Sequence, residues 1–226
     1  MLKILVRVCI VLLALALAPA ASLAVPTPYY FASGTVQLRA TLDGTTTSVI
    51  SGPVPVTIPL GGSQVVFDPD AGANGTLLGL VLEPAAPIAL DLDQTIVALD
   101  SILIENTMLT NAVGATAAVS GLGSFSLATL LTADVSGVFP DTSTFGPTPV
   151  SSLTSSAAGS LAVSGDTISL GLVGVNLATF PQLANPGAPD IVVKADFTFI
   201  GVVPEPGTAL LLGLGLAGLA ASRSRR

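Results

Sequence analysis

Two segments near the ends of the central region alternate strictly between apolar and polar side chains, and this pattern constrains the fold most. Every second residue is apolar in 35–42 and again in 193–199, where Val193, Ala195, Phe197 and Phe199 share one face. Because successive side chains of a strand point to opposite faces, this period of two predicts strands with one buried face. Asp43-Gly44 directly follows the first segment, and this dipeptide favours a hairpin turn.

The region between these segments contains more short apolar runs, separated by Gly, Pro, Asn and Asp. The runs are 54–58, 64–67, 76–82, 88–92, 95–99, 102–104, 115–119, 125–131, 160–164 and 167–177. None shows a sustained period of 3.6 residues. Residues 25–203 are therefore predicted to form one all-β domain, an antiparallel β-sandwich or a jelly-roll-like fold. The stretch 141–156 is rich in Ser, Thr and Pro, which predicts a long surface loop.

Composition argues against several kinds of chemistry. The chain has no His, and its single Cys is Cys9, so it lacks an imidazole base and cannot form an internal disulfide or a zinc cluster. Between 25 and 203 only Arg39 and Lys194 are basic, against thirteen acidic residues. This negative charge disfavours nucleic acid as a partner. We therefore expect a non-enzymatic body without a cofactor or a metal.

The acidic residues leave two alternatives open. Asp68 lies two residues before Asp70, and Asp91 two before Asp93. Such pairs suit a calcium site if other oxygen ligands lie nearby, and otherwise form a solvated face. A glycosidase would need two acids facing each other across a cleft. Lys194 alternates with the apolar face of its strand, which predicts a surface lysine protecting a sheet edge.

The N-terminus has the pattern of a secretory signal. Lys3 and Arg7 precede the continuous apolar run 8–17. Small residues at Ser22 and Ala24 match the pattern before a signal-peptidase cut, which predicts a signal peptide over 1–24 and a mature start at Val25. An uncleaved membrane anchor is the alternative.

The C-terminus contains three features in order. Val203 precedes Pro204-Glu205-Pro206, the uncharged apolar run 207–222 follows, and Arg223, Arg225 and Arg226 end the sequence. The run would be about 24 Å long as a helix, at about 1.5 Å per residue, and snorkelling arginines help so short a helix to span a membrane. Since arginines favour the cytoplasmic side, both ends predict an exported body.

This C-terminal segment resembles the PEP-CTERM sorting signal of Gram-negative bacteria. The same kind of segment is also labelled an ice-binding protein C-terminal domain. The resemblance covers about 25 residues, with Val203, Pro204, Glu205 and Pro206 as the motif. It implies export across the inner membrane, a transient membrane anchor over 207–222 and processing by an exosortase-type membrane enzyme. It also implies that the protein is located at the cell surface or outside the cell, in association with exopolysaccharide or biofilm. The expected function is a structural matrix protein. The alternatives are a binding module for polysaccharide, calcium or ice and, as a minor one, a carboxylate-dependent glycosidase.

Overall fold

The computed structural model describes residues 26–41, 47–59, 61–93, 99–180 and 189–203. Within these ranges all helical or extended secondary structure is β-strand, and all strand pairs are antiparallel. This confirms the all-β prediction. The strands are β1 (Thr27–Thr41), β2 (Thr47–Val49), β3 (Val54–Val56), β4 (Gln64–Asp68), β5 (Thr76–Leu82), β6 (Ile88–Asp91), β7 (Ser101–Asn111), β8 (Ala117–Ala118), β9 (Ser124–Val138), β10 (Thr144–Ser164), β11 (Thr167–Phe180) and β12 (Ile191–Val202).

The sheet closes on itself. Its order runs β7-β9-β10-β11-β12-β1-β4-β5, and β5 then pairs with β7 through Val81 with Thr110 and Leu82 with Leu109. The result is a closed eight-stranded antiparallel barrel, which corrects the expected sandwich or jelly roll. Closure pairs the edges that an open sheet would expose, and alternation along a single strand is the same in either architecture.

The prediction of a surface loop over 141–156 is wrong, because most of this stretch belongs to the long strand β10. This strand pairs with β9 on one edge and with β11 on the other. Its inward side chains include Thr154, Ala157 and Leu161, all buried. The small polar residues between them form the outer face, so the composition that suggested a loop belongs to a strand with a solvent-facing side.

The barrel interior is filled by the alternating residues that the sequence indicates. Val36, Leu38 and Ala40 of β1 are buried, as are Val193, Ala195, Phe197 and Phe199 of β12. The Phe199 ring lies 4.9 Å from the Phe31 ring and 5.7 Å from the Phe197 ring, measured between centroids. Leu42, the turn at Asp43-Gly44 and most of the predicted strand 95–99 lie outside the described residues.

One wall of the barrel is built from short pieces. The strands β4, β3 and β2 succeed one another along a single edge of β1. Likewise, β5 and β6 pair with separate parts of the same edge of β7, whose other edge pairs with β9. The wall between β1 and β7 is therefore interrupted, whereas β9 to β12 form a continuous wall of long strands.

We expect Gly123→Ala to destabilise the protein more than Gly114→Ala. Both glycines have a positive φ, +78° and +73°, and a non-glycine residue in that region costs about 1–2 kcal/mol. A Cβ at Gly123 would also lie 2.3 Å from the Leu161 carbonyl oxygen, whereas a Cβ at Gly114 meets nothing within 4 Å. Relieving that overlap should cost about 1–3 kcal/mol more. Urea unfolding followed by circular dichroism measures both losses, and equal losses would contradict the crowding at Gly123.

Candidate functional site

The C-terminal segment leaves the barrel at a well-defined point. Val202 pairs with Tyr30 of β1 and with Thr167 of β11. The backbone N–H of Val203 then donates a hydrogen bond of 2.8 Å to the carbonyl oxygen of Asp166, in the β10–β11 turn. The Pro-Glu-Pro motif begins at the next residue in the sequence, so it directly follows a residue that is hydrogen-bonded to the barrel.

Close packing holds this exit in place. A Cβ on Gly201 would come within 2.9 Å of the Ile168 Cγ2 atom and within 3.3 Å of the Tyr29 Cβ atom. The chain can approach its neighbours so closely here because residue 201 has no side chain. Tyr29 is 6% exposed, and burial raises the pKa of its hydroxyl, with the nearby Asp166 carboxylate raising it further. The exit therefore belongs to the packed part of the barrel.

Most of the sorting residues named from the sequence lie outside the described residues. Val203 is the member that the structure places. The residues outside are Pro204, Glu205, Pro206, Ser22, Ala24, Arg223, Arg225 and Arg226. Within the described ranges, no helix has the length and apolarity needed to cross a membrane. The predicted transmembrane run 207–222 and the signal peptide remain predictions.

The two acid pairs do not come together. Asp68 ends β4 beside the start of β1, where Phe67 pairs with Thr27, and its Oδ1 atom accepts a hydrogen bond of 3.0 Å from the Asp70 N–H. Asp91 pairs with Ser101 at the other end of the barrel, and Asp91 and Asp93 are both exposed, as the solvated-face interpretation expects. No group of three or more metal-binding side chains occurs among the described residues.

The two basic residues of the body lie side by side on adjacent strands. Arg39 pairs in register with Lys194, and the Arg39 guanidinium forms an ion pair with Asp196. Asp196 also accepts a hydrogen bond of 2.9 Å from the Gly174 N–H. The predicted outward face of Lys194 is observed, but β12 is paired on both edges, so the edge-protecting role is wrong.

Sequence reasoning missed a cavity beside the middle of β7. It has a volume of about 430 Å³ and is lined from one side by the β5–β6 loop, including Glu83, and from the other by Glu105, Asn106 and Thr107. The register of β7 against β9 shifts between Glu105 and Met108, and Asn106 has a φ of +47°. The break in alternation at Glu105-Asn106-Thr107 was the available signal.

Residues 202–226 match the family model of the PEP-CTERM protein-sorting motif. No curated protein matches the chain. The matched range begins at Val202, so it overlaps the exit of the barrel and continues through the segment that the structure does not describe. The chain thus carries a PEP-CTERM sorting tail, which supports targeting to an exosortase and implies export and membrane anchoring before processing.

Proposed function

We propose that this chain, whose residues 202–226 form a PEP-CTERM sorting motif, is an exported structural protein of the extracellular matrix of a Gram-negative bacterium. An exosortase removes the tail, and the β-domain becomes part of an exopolysaccharide or biofilm matrix. The motif carries the sorting part of this proposal, because it joins a recognisable signal directly to a folded body. The matrix role rests on the chemistry of that body.

The position of the exit makes processing compatible with a stable product. Strand β12, the last one in the described part of the chain, ends at Val202, and the Val203 N–H donates a hydrogen bond to the Asp166 carbonyl oxygen. Cleavage at or after the motif would therefore remove no residue of a barrel strand. The product would keep every ladder of the barrel while losing the apolar run and the arginines.

The surface of the body suits a hydrated matrix. Residues 142–165, which include all of β10, contain no charged side chain, and the outward side of this strand consists mostly of Ser, Thr, Ala and Pro. Hydroxyl groups exchange hydrogen bonds readily with water and with sugar hydroxyls. The other charges of the body are mostly acidic, which keeps so apolar a chain dispersed.

The available side chains support the non-enzymatic role that we propose. The sequence has no His, and its one Cys lies in the predicted signal peptide. The Ser-His and Cys-His combinations of nucleophile and base therefore cannot be assembled in the body. The second candidate function, a module that binds saccharides, is favoured by the cavity beside Thr107.

The test is the location and C-terminus of the protein in a Gram-negative host with and without its exosortase. With the enzyme, mass spectrometry should show a chain that ends close to Pro204-Glu205-Pro206, recovered with the exopolysaccharide fraction. Without it, the chain should stay in the membrane fraction and retain Arg226. A released protein that still carries Arg226 would contradict the sorting part. A processed protein found free of polysaccharide would contradict the matrix part.

A further inference from the structure

Two turns at one end of the barrel present fully exposed aliphatic side chains. Val113 lies in the turn 112–115 and Leu122 in the turn 120–123. Each turn is closed by a hydrogen bond of 2.8 Å from its last N–H to its first carbonyl oxygen. The exposed fractions of Val113 and Leu122 are 105% and 97%. Both side chains could therefore bury nearly all of their apolar surface against an apolar partner.

Both turns lie at the end of the barrel where the chain leaves towards the sorting tail, here called the exit end. At this end β12 finishes beside the start of β11, β10 finishes beside the same start, and β9 begins beside the last part of β10. The turn 120–123 directly precedes β9, and the turn 112–115 directly follows β7, which finishes beside the first part of β9. Since Tyr30 pairs with Val202, β1 also begins at the exit end.

More exposed aliphatic side chains surround the exit. Ile200 and Val202 of β12 and Val163 near the end of β10 are all exposed. Together with Val113 and Leu122, they are five of the nine large apolar side chains that are exposed in the described part of the chain. Single exposed apolar side chains are normal on a protein surface, whereas a concentration of them marks an interaction surface. The exit end has such a concentration.

The turn that carries Leu122 is fixed to the barrel. The Leu161 N–H donates a hydrogen bond of 2.7 Å to the Gly123 carbonyl oxygen. The Ser124 N–H donates one of 3.1 Å to the Ser120 hydroxyl, which lies at the other side of the turn. The exposure of Leu122 is therefore a property of the folded barrel.

The length of chain before the predicted membrane segment determines what the exit end faces. Val203 is the last described residue, and the uncharged apolar run begins at Gly207. Four residues span at most about 14 Å, even when fully extended. While the tail is anchored, the exit end must therefore lie close to the membrane surface. An uncleaved N-terminal anchor would bring the same end to the membrane, because β1 begins there.

The charges at the exit end favour a lipid surface without net charge. Asp68 ends β4 beside the start of β1, and Asp166 lies in the β10–β11 turn next to Val203. The basic residues of the described chain, Arg39 and Lys194, pair with each other towards the opposite end of the barrel. Carboxylates are repelled by anionic headgroups, and the exit end has no described basic residue to offset this repulsion. Zwitterionic lipid is therefore the better partner.

We propose that the exit end docks on the zwitterionic surface of the membrane that holds the tail, with Val113 and Leu122 inserted between the headgroups and the upper acyl chains. Apolar groups bound at this interface reach a depth of about 5–10 Å. The inference rests on the membrane anchoring in the proposed function and adds that the anchored barrel has one orientation. That orientation keeps the sorting motif at the membrane surface, where an exosortase-type membrane enzyme can reach it.

Fluorescence quenching of the full chain in phosphatidylcholine vesicles tests the docking. Cys9→Ser removes the single cysteine of the sequence, and Leu122→Cys or Val49→Cys then carries the same dye. Val49 is also exposed, but it pairs with Arg39 towards the opposite end of the barrel. Lipid with a nitroxide on the upper acyl chain should remove at least about half of the emission from residue 122 and less than about a tenth of that from residue 49, because a docked group lies about 5–10 Å deep.

A second substitution in the chain labelled at residue 122 shows whether the protein, and not the dye, makes the contact. Val113→Ser should reduce the quenching about twofold or more, because one of the two inserted side chains becomes polar. Val173→Ser is the matched control, since Val173 is also exposed but lies on the outer wall of β11, and it should leave the quenching unchanged. Circular dichroism should be the same for both variants, because both side chains are on the surface.

The outcomes separate docking from anchoring. A chain that floats with the vesicles but loses emission equally at residues 122 and 49, or is insensitive to Val113→Ser, would overturn the docking while the anchoring holds. A chain that does not float with the vesicles would overturn the anchoring and the docking with it. Vesicles that contain anionic phosphatidylglycerol should give less quenching at low salt, where repulsion is least screened. More quenching there would contradict a zwitterionic partner surface.

Discussion

Glu205→Ala should stop the processing of the tail and leave the protein membrane-bound with Arg226 intact. Glu205 is the sole acid after Asp196 in the sequence, and it stands between two prolines. Proline lacks a backbone donor and favours an extended chain, and an extended segment would suit a groove in a processing enzyme. The substitution changes neither the apolar run nor the arginines, so insertion should continue. In a host with the matching exosortase, the processed fraction should fall at least about tenfold, as for the loss of a charge-assisted contact.

Two matched variants separate recognition from anchoring. Asp190→Ala also removes one exposed acid of the same chain, and it should be processed normally because it lies before the last strand. Deletion of 223–226 removes the arginines that favour the cytoplasmic side, so it should reduce membrane retention before processing. Mass spectrometry of the C-terminus and fractionation measure both effects. Normal processing of Glu205→Ala would show that the tail acts as an ordinary anchor.

Phe199→Ala should cost about 3–5 kcal/mol of the free energy of unfolding, the usual range for a fully buried phenylalanine. Phe199 is 0% exposed and lies between the rings of Phe31 and Phe197. A Cβ placed on Gly34 would come within 2.3 Å of its Cδ1 atom, so the ring rests directly against the backbone of β1. Removing the ring leaves a cavity in the core of the barrel, against the paired strands β1 and β12, whose backbones cannot collapse easily into it.

The next residue of the same strand provides the control. Ile200 is 46% exposed because alternation turns it outward, so Ile200→Ala should cost less than about 1 kcal/mol. Urea unfolding with an unchanged slope gives both values on one scale. A loss below about 1 kcal/mol for Phe199→Ala would contradict the close packing between β1 and β12.

Local patterns were reliable where one strand face is apolar and the other polar. The segments 35–42 and 193–199 were assigned correctly along their described lengths, down to the side chains that face inward. The stretch 141–156 was assigned wrongly, because the outer face of β10 carries small polar residues and few large apolar residues mark its inner face. Pairing with β9 and β11 stabilises this strand, and a reading of one segment cannot detect such pairing.

The cavity beside Thr107 could be foreseen only in part. A break in alternation at Glu105-Asn106-Thr107 was visible in the sequence. Glu83 lies opposite this break because β5 and β6 pair with separate parts of one edge of β7. The β5–β6 loop is also hydrogen-bonded to Ser63, which belongs to a third segment of the chain. Ser63, Glu83 and Thr107 are between 20 and 44 positions apart along the chain, so no local pattern connects them.

The sequence by itself determined the sorting tail and the strand character of the body. A sorting motif is a run of consecutive residues, and strand alternation depends on neighbouring residues, so both can be found in the sequence alone. The tertiary structure decided whether the strands form a sandwich or a closed barrel, because the pairing of β5 with β7 joins segments about thirty residues apart. It also decided that the tail leaves the barrel beside Asp166 and that Glu83, Glu105 and Thr107 border one cavity. The physical reason is that hydrogen-bond register between distant strands, and not the character of either strand, sets which residues meet.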